Sequence, residues 1–427
     1  MKVGIIGAGF TGLSAGYYLT KEGHDVTIFD RDGVPGGLAI GFQEKNWEWS
    51  LEKHYHHWFT NDRSILSLAR ELNYKVFITR PKTSVYVDGK FFQLDSPLNV
   101  LQFPRLPIFD RIRMAFVLGL MRYNPFWKPL EKIRAVDFLP KVMGKRAYEK
   151  LWEPLFINKF GDRRHDISLA WFWARVRKRT PSLAYPQGGF LKFANHLANR
   201  IKKQKGKIFL NTEVISVESD KETKINIKRN LEIKSIKFDK ILVTLPTFFF
   251  LKLAKNLPGD YVKRLSKLEG FGAINLVMRL DRKFLNDNTY WLNICDKNSP
   301  VMAVVEHTNF MNSKYYDREH VVYVANYFLP NDPHFKMTDN ELLKECDPYL
   351  KKINSKYREN LISYSVFRTP FAQPLIPMNY SKMIPPIETP LKNVYLSNIQ
   401  QVYPWDRGTN YSVENGREVA KMMMNLV

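Results

Sequence analysis

Residues 2–12, KVGIIGAGFTG, with the apolar-periodic stretch that follows to Leu19 and DVTIFD at 25–30, decide how the rest of the chain is read. Lys2 to Ile6 is a short apolar run of the kind buried in a parallel sheet. Gly7, Gly9 and Gly12, with Phe10 and Thr11 between them, make a G-x-G-x-x-G turn, and Leu13, Ala15, Tyr17 and Leu19 continue as a helix. A second strand, Asp25 to Phe29, ends on Asp30, 23 residues beyond Gly7. Strand, glycine turn, helix, strand and acid in that order form the βαβ dinucleotide fingerprint. Gly9 lets the backbone approach a pyrophosphate, and Gly12 lets helix and strand pack closely. The helix start offers unpaired N–H groups and a partial positive charge to the phosphates. Asp30 would accept the hydroxyls of an adenosine ribose, and Arg31 beside it joins the candidate cofactor contacts.

Outward from the fingerprint, Gly36-Gly37-Leu38 lies a short spacer past Asp30. An acid, a spacer and a Gly-Gly pair resembles the extended motif of the FAD-binding amine oxidase superfamily, which includes protoporphyrinogen oxidases, carotenoid desaturases and UDP-galactopyranose mutases. The resemblance implies FAD as cofactor, with Gly36, Gly37 and Leu38 against it; Leu38 stands where many members carry a basic residue. Asn393-Val394-Tyr395-Leu396 is similar to the superfamily's last strand, and Arg407 to Tyr411 to the opening of its terminal helix. This implies Asn398 near the phosphate or ribityl chain, although Ser397-Asn398 replaces the usual Gly-Asp. It also implies Gly408, Thr409 and Asn410 presenting a helix N-terminus to the flavin pyrimidine. Gln187-Gly188-Gly189 before an amphipathic helix is similar to a recurrent element, after which Val214 is expected to hold the adenine side through its backbone. The implied activity is hydride transfer from substrate to flavin N5. Two alternatives stand beside it: a mutase-like, non-redox flavoenzyme acting on a nucleotide sugar, and a non-catalytic flavin-binding protein at a membrane.

Composition agrees with a globular protein. A chain of 427 residues with 44% hydrophobic and 14% aromatic content can bury more than one core. Cys295 and Cys346, the two cysteines, stand in unrelated contexts, which argues against a disulfide framework or thiolate metal site. Strand one starts at Lys2, so a leader peptide is not expected and a cytoplasmic location is. The formal charge of +23 is concentrated: residues 98–200 hold 20 Lys/Arg against 7 Asp/Glu. Such a surface suits an anionic lipid or diphosphate. No nucleic-acid-binding motif accompanies it, so nucleic acid is not an expected partner.

Trp47 to Phe59, WEWSLEKHYHHWF, is dense in aromatics and histidine. His54, His56 and His57 lack the spacing of a zinc pair, and no metal is expected. His56 and His57 are candidates for catalytic contact beside the flavin, with packed imidazoles as the plain alternative. Arg368, within VFRTPFAQP, is the third catalytic candidate, as an anion-binding residue. Asn61 is expected to cap a helix whose inner face is Ile65, Leu68, Ala69 and Leu72, and Asp88-Gly89 is a hairpin signal. From Ser96 to about Thr180 the chain reads as basic, aromatic-rich helices. Their stripe Met114, Val117, Leu118 and Met121 is either core or a face lying in an anionic membrane interface.

The expected fold is therefore α/β, a Rossmann-type FAD domain with a mixed helical cap and an antiparallel-sheet substrate domain. The FAD domain is discontinuous (1–80, 184–247 and 389–427), and 81–183 and 248–388 form the substrate side. The expected substrate is a small or lipid-like molecule, with peripheral contact on the inner face of the membrane.

Overall fold

The computed structural model describes residues 1–229 and 232–425. Five parallel strands stand in the order Lys207–Phe209, Asp25–Phe29, Lys2–Ile6, Lys240–Val243 and Val394–Leu396. They come from widely separated stretches of chain, and all read as apolar runs because both faces are covered. Val3, Ile5, Val26, Ile28, Ile241 and Leu242 have no exposed surface. The helix Phe10–Lys21 packs against this sheet. A Cβ on Gly12 would lie 1.9 Å from the Gly7 carbonyl oxygen, so no side chain fits there. The closing helix Thr409–Met423 lies against the first helix. Gly416 permits the approach, and Ser14 Oγ donates to the Val413 carbonyl at 2.9 Å.

A seven-stranded sheet carries the substrate side. Its order is Leu361–Pro374, Gly270–Leu280, His320–Phe328, Ala303–Glu306, Thr289–Ile294, Lys82–Val87 and Lys90–Gln93. The antiparallel sheet expected from sequence is present with one change. Thr289–Ile294 pairs parallel with Lys82–Val87, so the hairpin around Asp88-Gly89 is built into this sheet. Pairing between strands 200 residues apart has no local signature. It is set by which edges meet in space.

Residues 97–178 form the helical cap. In its helix Ile108–Tyr123, Met114, Val117 and Met121 are buried, and Leu118 packs against the same core, so this stripe is core. The helix Arg63–Glu71 buries Ile65, Leu68 and Ala69 as expected, but Asn61 does not cap it. Asn410 does, across the domain, with its Oδ1 accepting from the Ser64 and Ile65 amides at 2.9 and 3.2 Å. Asn61 instead donates to the Lys178 carbonyl at 3.0 Å.

Candidate active site

All five parallel strands end on the same edge, where ligands bind in open α/β sheets. Ile6 leads into the Gly7 turn, Phe29 into Asp30, Val243 into Thr244, and Leu396 into Ser397. The two glycine motifs meet there. Gly36 N donates to the Ala8 carbonyl at 3.0 Å, and a Cβ on Gly37 would stand 2.9 Å from the Gly9 Cα. Asp30 ties the turn together. Its Oδ2 accepts from the Ala8 amide at 2.6 Å and its Oδ1 from the Asp32 amide at 2.9 Å. Burial raises the Asp30 carboxyl against these bonds. The helix Phe10–Lys21 has no side-chain cap and no acid in its first turn, so its N-terminal amides are not held by a carboxylate of the chain. Phe10 and Thr11 are themselves buried. Arg31 lies over the Phe249 ring, and Leu38 sits in the turn Gly37–Ala39.

Val214 opens the strand Glu213–Ser219 just past Thr212, whose amide donates to the Asp30 carbonyl at 2.8 Å. Asn398 is buried and turned inward, its Nδ2 donating to the Leu245 carbonyl at 2.9 Å. Next to it the Ser397 hydroxyl is buried with no partner among the described residues. Gly408 precedes the closing helix in extended conformation, and Thr409 Oγ1 accepts from the Trp58 indole at 2.7 Å. A partnerless hydroxyl, free helix amides and glycine backbones in mutual contact on one edge fit a dinucleotide.

The aromatic-histidine stretch crosses from this edge to the substrate sheet. His57 Nδ1 lies 3.0 Å from the Tyr290 hydroxyl, His56 Nδ1 2.5 Å from the His54 carbonyl, and His54 is bonded to Asn275. Burial, with help from neighbouring cations and imidazoles, lowers His54 and His57 to about 3 and His56 to about 4. All three are neutral at pH 7, so they are ring walls and hydrogen-bonding groups rather than ready proton donors. Among the described residues no three His, Cys, Asp or Glu side chains converge as a metal site.

Beneath them lies a group that the sequence does not single out. Glu52 is fully buried at the start of the helix Gly189–Lys203. It accepts from the Phe190 amide at 2.8 Å and from the Tyr185 hydroxyl at 2.8 and 3.1 Å. Burial raises its carboxyl to about 7 while those donors and the helix N-terminus pull it down. Gly189 makes the contact possible, since a Cβ there would lie 2.5 Å from the Ser50 carbonyl oxygen.

Arg368 is placed apart from the histidines. Its guanidinium is held by Asp339 at 2.8 Å and the Met337 carbonyl at 2.7 Å. The arginine brought to the site is Arg407. It donates from Nε to Gln373 at 2.9 Å and also reaches the Tyr327 hydroxyl, which faces Tyr55 at 3.4 Å. Asp406 beside it pairs with Arg175 at 2.9 Å. Burial alone would raise Asp406, but Arg175, Arg407 and Lys159 hold its carboxyl below the usual range. In sequence Arg175 and Arg179 are part of an ordinary basic run, RVRKR, and nothing local separates them from surface charge.

The geometry thus defines a dinucleotide-binding edge facing a substrate sheet across a histidine-lined wall, under a helical cap. Comparison with known proteins gives the class its name: residues 10–421 match the family described as flavin containing amine oxidoreductase, and the chain belongs to it. It is 20% identical to the 15-cis-phytoene desaturase of Arabidopsis thaliana over 93% of this chain and 75% of that one. It is 26% identical to the protoporphyrinogen oxidase of Dictyostelium discoideum over 49% of this chain and 42% of that one. A solved structure of reduced UDP-galactopyranose mutase superposes with a TM-score of 0.77 at 16% identity, covering 100% of this chain and 96% of that one. The protein is an FAD-dependent oxidoreductase.

Proposed function

We propose that this oxidoreductase acts on a small, lipid-like substrate while bound peripherally to the anionic inner face of a membrane. One observation carries the reading: the cap helix Ile108–Tyr123 is apolar on both sides. Its inner stripe is core, while Phe109, Ile112, Phe116 and Leu120 turn outward, with Phe109 80% and Phe116 66% exposed. Leu98, Tyr123 and Phe126 extend this face. Its cations are satisfied as donors without being neutralised. Arg111 bonds the Leu101 and Leu106 carbonyls, and Arg122 those of Val176 and Arg179. Near an anionic surface each such charge contributes about 1 kcal/mol. Among the described residues no helix is long and apolar enough to cross a membrane, so the face suits lying in the interface.

At the site, FAD when bound would supply a hydride acceptor for the substrate. The amides following Gly9 would hold its pyrophosphate, Asp30 the adenosine ribose, Val214 the adenine side, and Gly36, Gly37 and Leu38 the backbone-facing wall. The amides of Thr409 and Asn410 would face the pyrimidine, since both side chains are engaged within the protein. His56 and His57 orient the substrate as neutral rings, and the aromatic wall excludes water.

Co-sedimentation with phosphatidylglycerol-containing vesicles tests the membrane claim. Wild type should bind at low salt and release at high salt. The double variant Phe109→Ser, Phe116→Ser should lose binding while keeping its fold and flavin. Val117→Ser with Leu118→Ser should instead lose roughly 2–5 kcal/mol of stability, because that face is core. Failure of wild type to bind vesicles at low salt removes the proposal.

A further inference from the structure

At the edge of the substrate sheet, where the hairpin around Asp88-Gly89 meets the cap, lies a cleft of about 600 Å³. Small molecules are held in spaces of about 300–1,000 Å³. Four stretches distant in sequence build it. Tyr86 and Asp88 come from the hairpin, Arg105 from the segment ahead of the helix Ile108–Tyr123, Lys150 from the helical turn Tyr148–Trp152, and Asp296 from beyond the strand Thr289–Ile294. None of its lining residues belongs to the dinucleotide edge or the histidine wall, so the flavin site does not account for it.

The charges of the cleft are unevenly matched. Lys150 Nζ donates to both Asp88 oxygens at 3.1 Å, and Arg105 Nε stands 3.9 Å from the same carboxylate, beyond a hydrogen bond. That Nε is buried and partnerless, with the guanidinium over the Phe92 ring. One carboxylate thus faces two cations. Arg146 and Lys297 also line the cleft, but each is held by an acid outside the lining, Asp110 at 2.8 Å and Glu153 at 2.6 Å. Glu149 faces Lys145 at 3.8 Å. Asp296 is the reverse case. It accepts from the Tyr349 hydroxyl at 3.2 Å and the Asn298 amide at 3.0 Å, and among the described residues no cation pairs with it. One positive charge is left over at Arg105 and Lys150, and one negative charge at Asp296. A solvated ion-pair surface explains neither the buried donor nor the separation.

The cleft adjoins the apolar outer face of the cap. Arg105 is three residues from Ile108, Arg146 holds Asp110 in the first turn of that helix, and Ile108, Phe109 and Ile112 are exposed there. We propose that the cleft binds the headgroup of a phosphatidylethanolamine lipid, its phosphodiester at Arg105 and Lys150 and its ammonium at Asp296. A phosphodiester carries a single negative charge, equal to the excess, and supplies the acceptor that Arg105 Nε lacks. A primary ammonium brings one positive charge and three donors to the unpaired carboxylate. The acyl chains would run along Phe109 and Ile112. The choice of a membrane lipid as the source rests on the reading of this helix as lying in the interface.

The test titrates the flavin-loaded enzyme by calorimetry with dihexanoyl-phosphatidylethanolamine, kept monomeric, at fixed ionic strength. Saturable binding is expected, about tenfold tighter than that of the phosphatidylglycerol and phosphatidylcholine of the same chain length, which lack the primary ammonium. Lys150→Met and Asp296→Asn should each remove about that tenfold preference, and Lys145→Ala, outside the lining, should bind as wild type does. Equal affinity for the three headgroups overturns the proposal, since the acyl chains alone would then be bound. Unchanged preference in both Lys150→Met and Asp296→Asn overturns it too, as does displacement by equimolar inorganic phosphate, the mark of a plain anion site. Co-sedimentation separates this from the membrane reading. Headgroup-blind protein that still binds vesicles would defeat this inference alone. Headgroup preference without vesicle binding would defeat the membrane reading and leave the cleft a site for the free lipid.

Discussion

At the carboxyl edge of the parallel sheet the site is made of backbone: Gly7, Gly9, Gly36 and Gly37 in mutual contact, with one carboxylate, Asp30, tying the turn. Under the cap lie long side chains, Lys159, Arg175, Arg179 and Arg407, around a single half-buried Asp406. The first arrangement presents amides and a helix end whose positions follow from local chain geometry, so it suits a ligand common to many proteins. The second depends on where five separate side chains end, and can be re-aimed by single substitutions without disturbing the strands. Cofactor chemistry on backbone and recognition on side chains is a division that allows one kind of cofactor edge to serve many substrates.

The comparison breaks most sharply at Gly9. Gly9→Val should abolish flavin content with the fold retained, because the branched side chain takes the space between the two glycine motifs that a pyrophosphate needs. Flavin absorbance per mole of protein beside circular dichroism reads it, and full flavin in the variant would overturn the assignment.

Glu52 lies between the two ends, and its effect should be intermediate. Its folded carboxyl titrates at about 7 against an ordinary 4.5, so the native state holds a proton that the unfolded chain has lost. The stabilisation is complete below about 4.5 and is lost as pH rises through 7. By pH 8 the ionised form costs roughly 3 kcal/mol. Glu52→Gln should flatten the fall in melting temperature between pH 5.5 and 8; an unchanged slope would show the carboxylate already ionised. His54, His56 and His57 act with the opposite sign. Their folded values lie below 6.5, so their contribution is present above 6.5 and lost as pH falls.

The smallest effect is expected at Asn410. Its carbonyl caps the helix Arg63–Glu71, so Asn410→Ala should cost about 1 kcal/mol. Flavin content should not change if only the Asn410 amide faces the cofactor. Loss of flavin at constant stability would move its side chain into the binding edge.

Much of the fold was legible because its signals are local. The strands Lys2–Ile6 and Asp25–Phe29 and the helix Phe10–Lys21 between them stand as read. The parallel pairing of Thr289–Ile294 with Lys82–Val87 was not legible, nor was the cap on Arg63–Glu71, since each joins residues more than 200 apart. Arg368 and Arg407 show the same limit at the site. Each sits in an aromatic-rich stretch, yet one is tied to Asp339 and the other to Tyr327.

The cap helix Ile108–Tyr123 marks the boundary in a single element. Periodicity picked out Met114, Val117 and Met121, and left open whether that face met protein or lipid. Packing decided it: those residues fill the core, and Phe109, Ile112 and Phe116 face outward. The sequence by itself determined the dinucleotide edge, because glycine turns, helix starts and buried strands are properties of a few adjacent residues. Only the tertiary structure decided that Arg407, not Arg368, meets Tyr327 and that Glu52 is buried, because burial and electrostatic fields depend on what the rest of the chain places around a side chain.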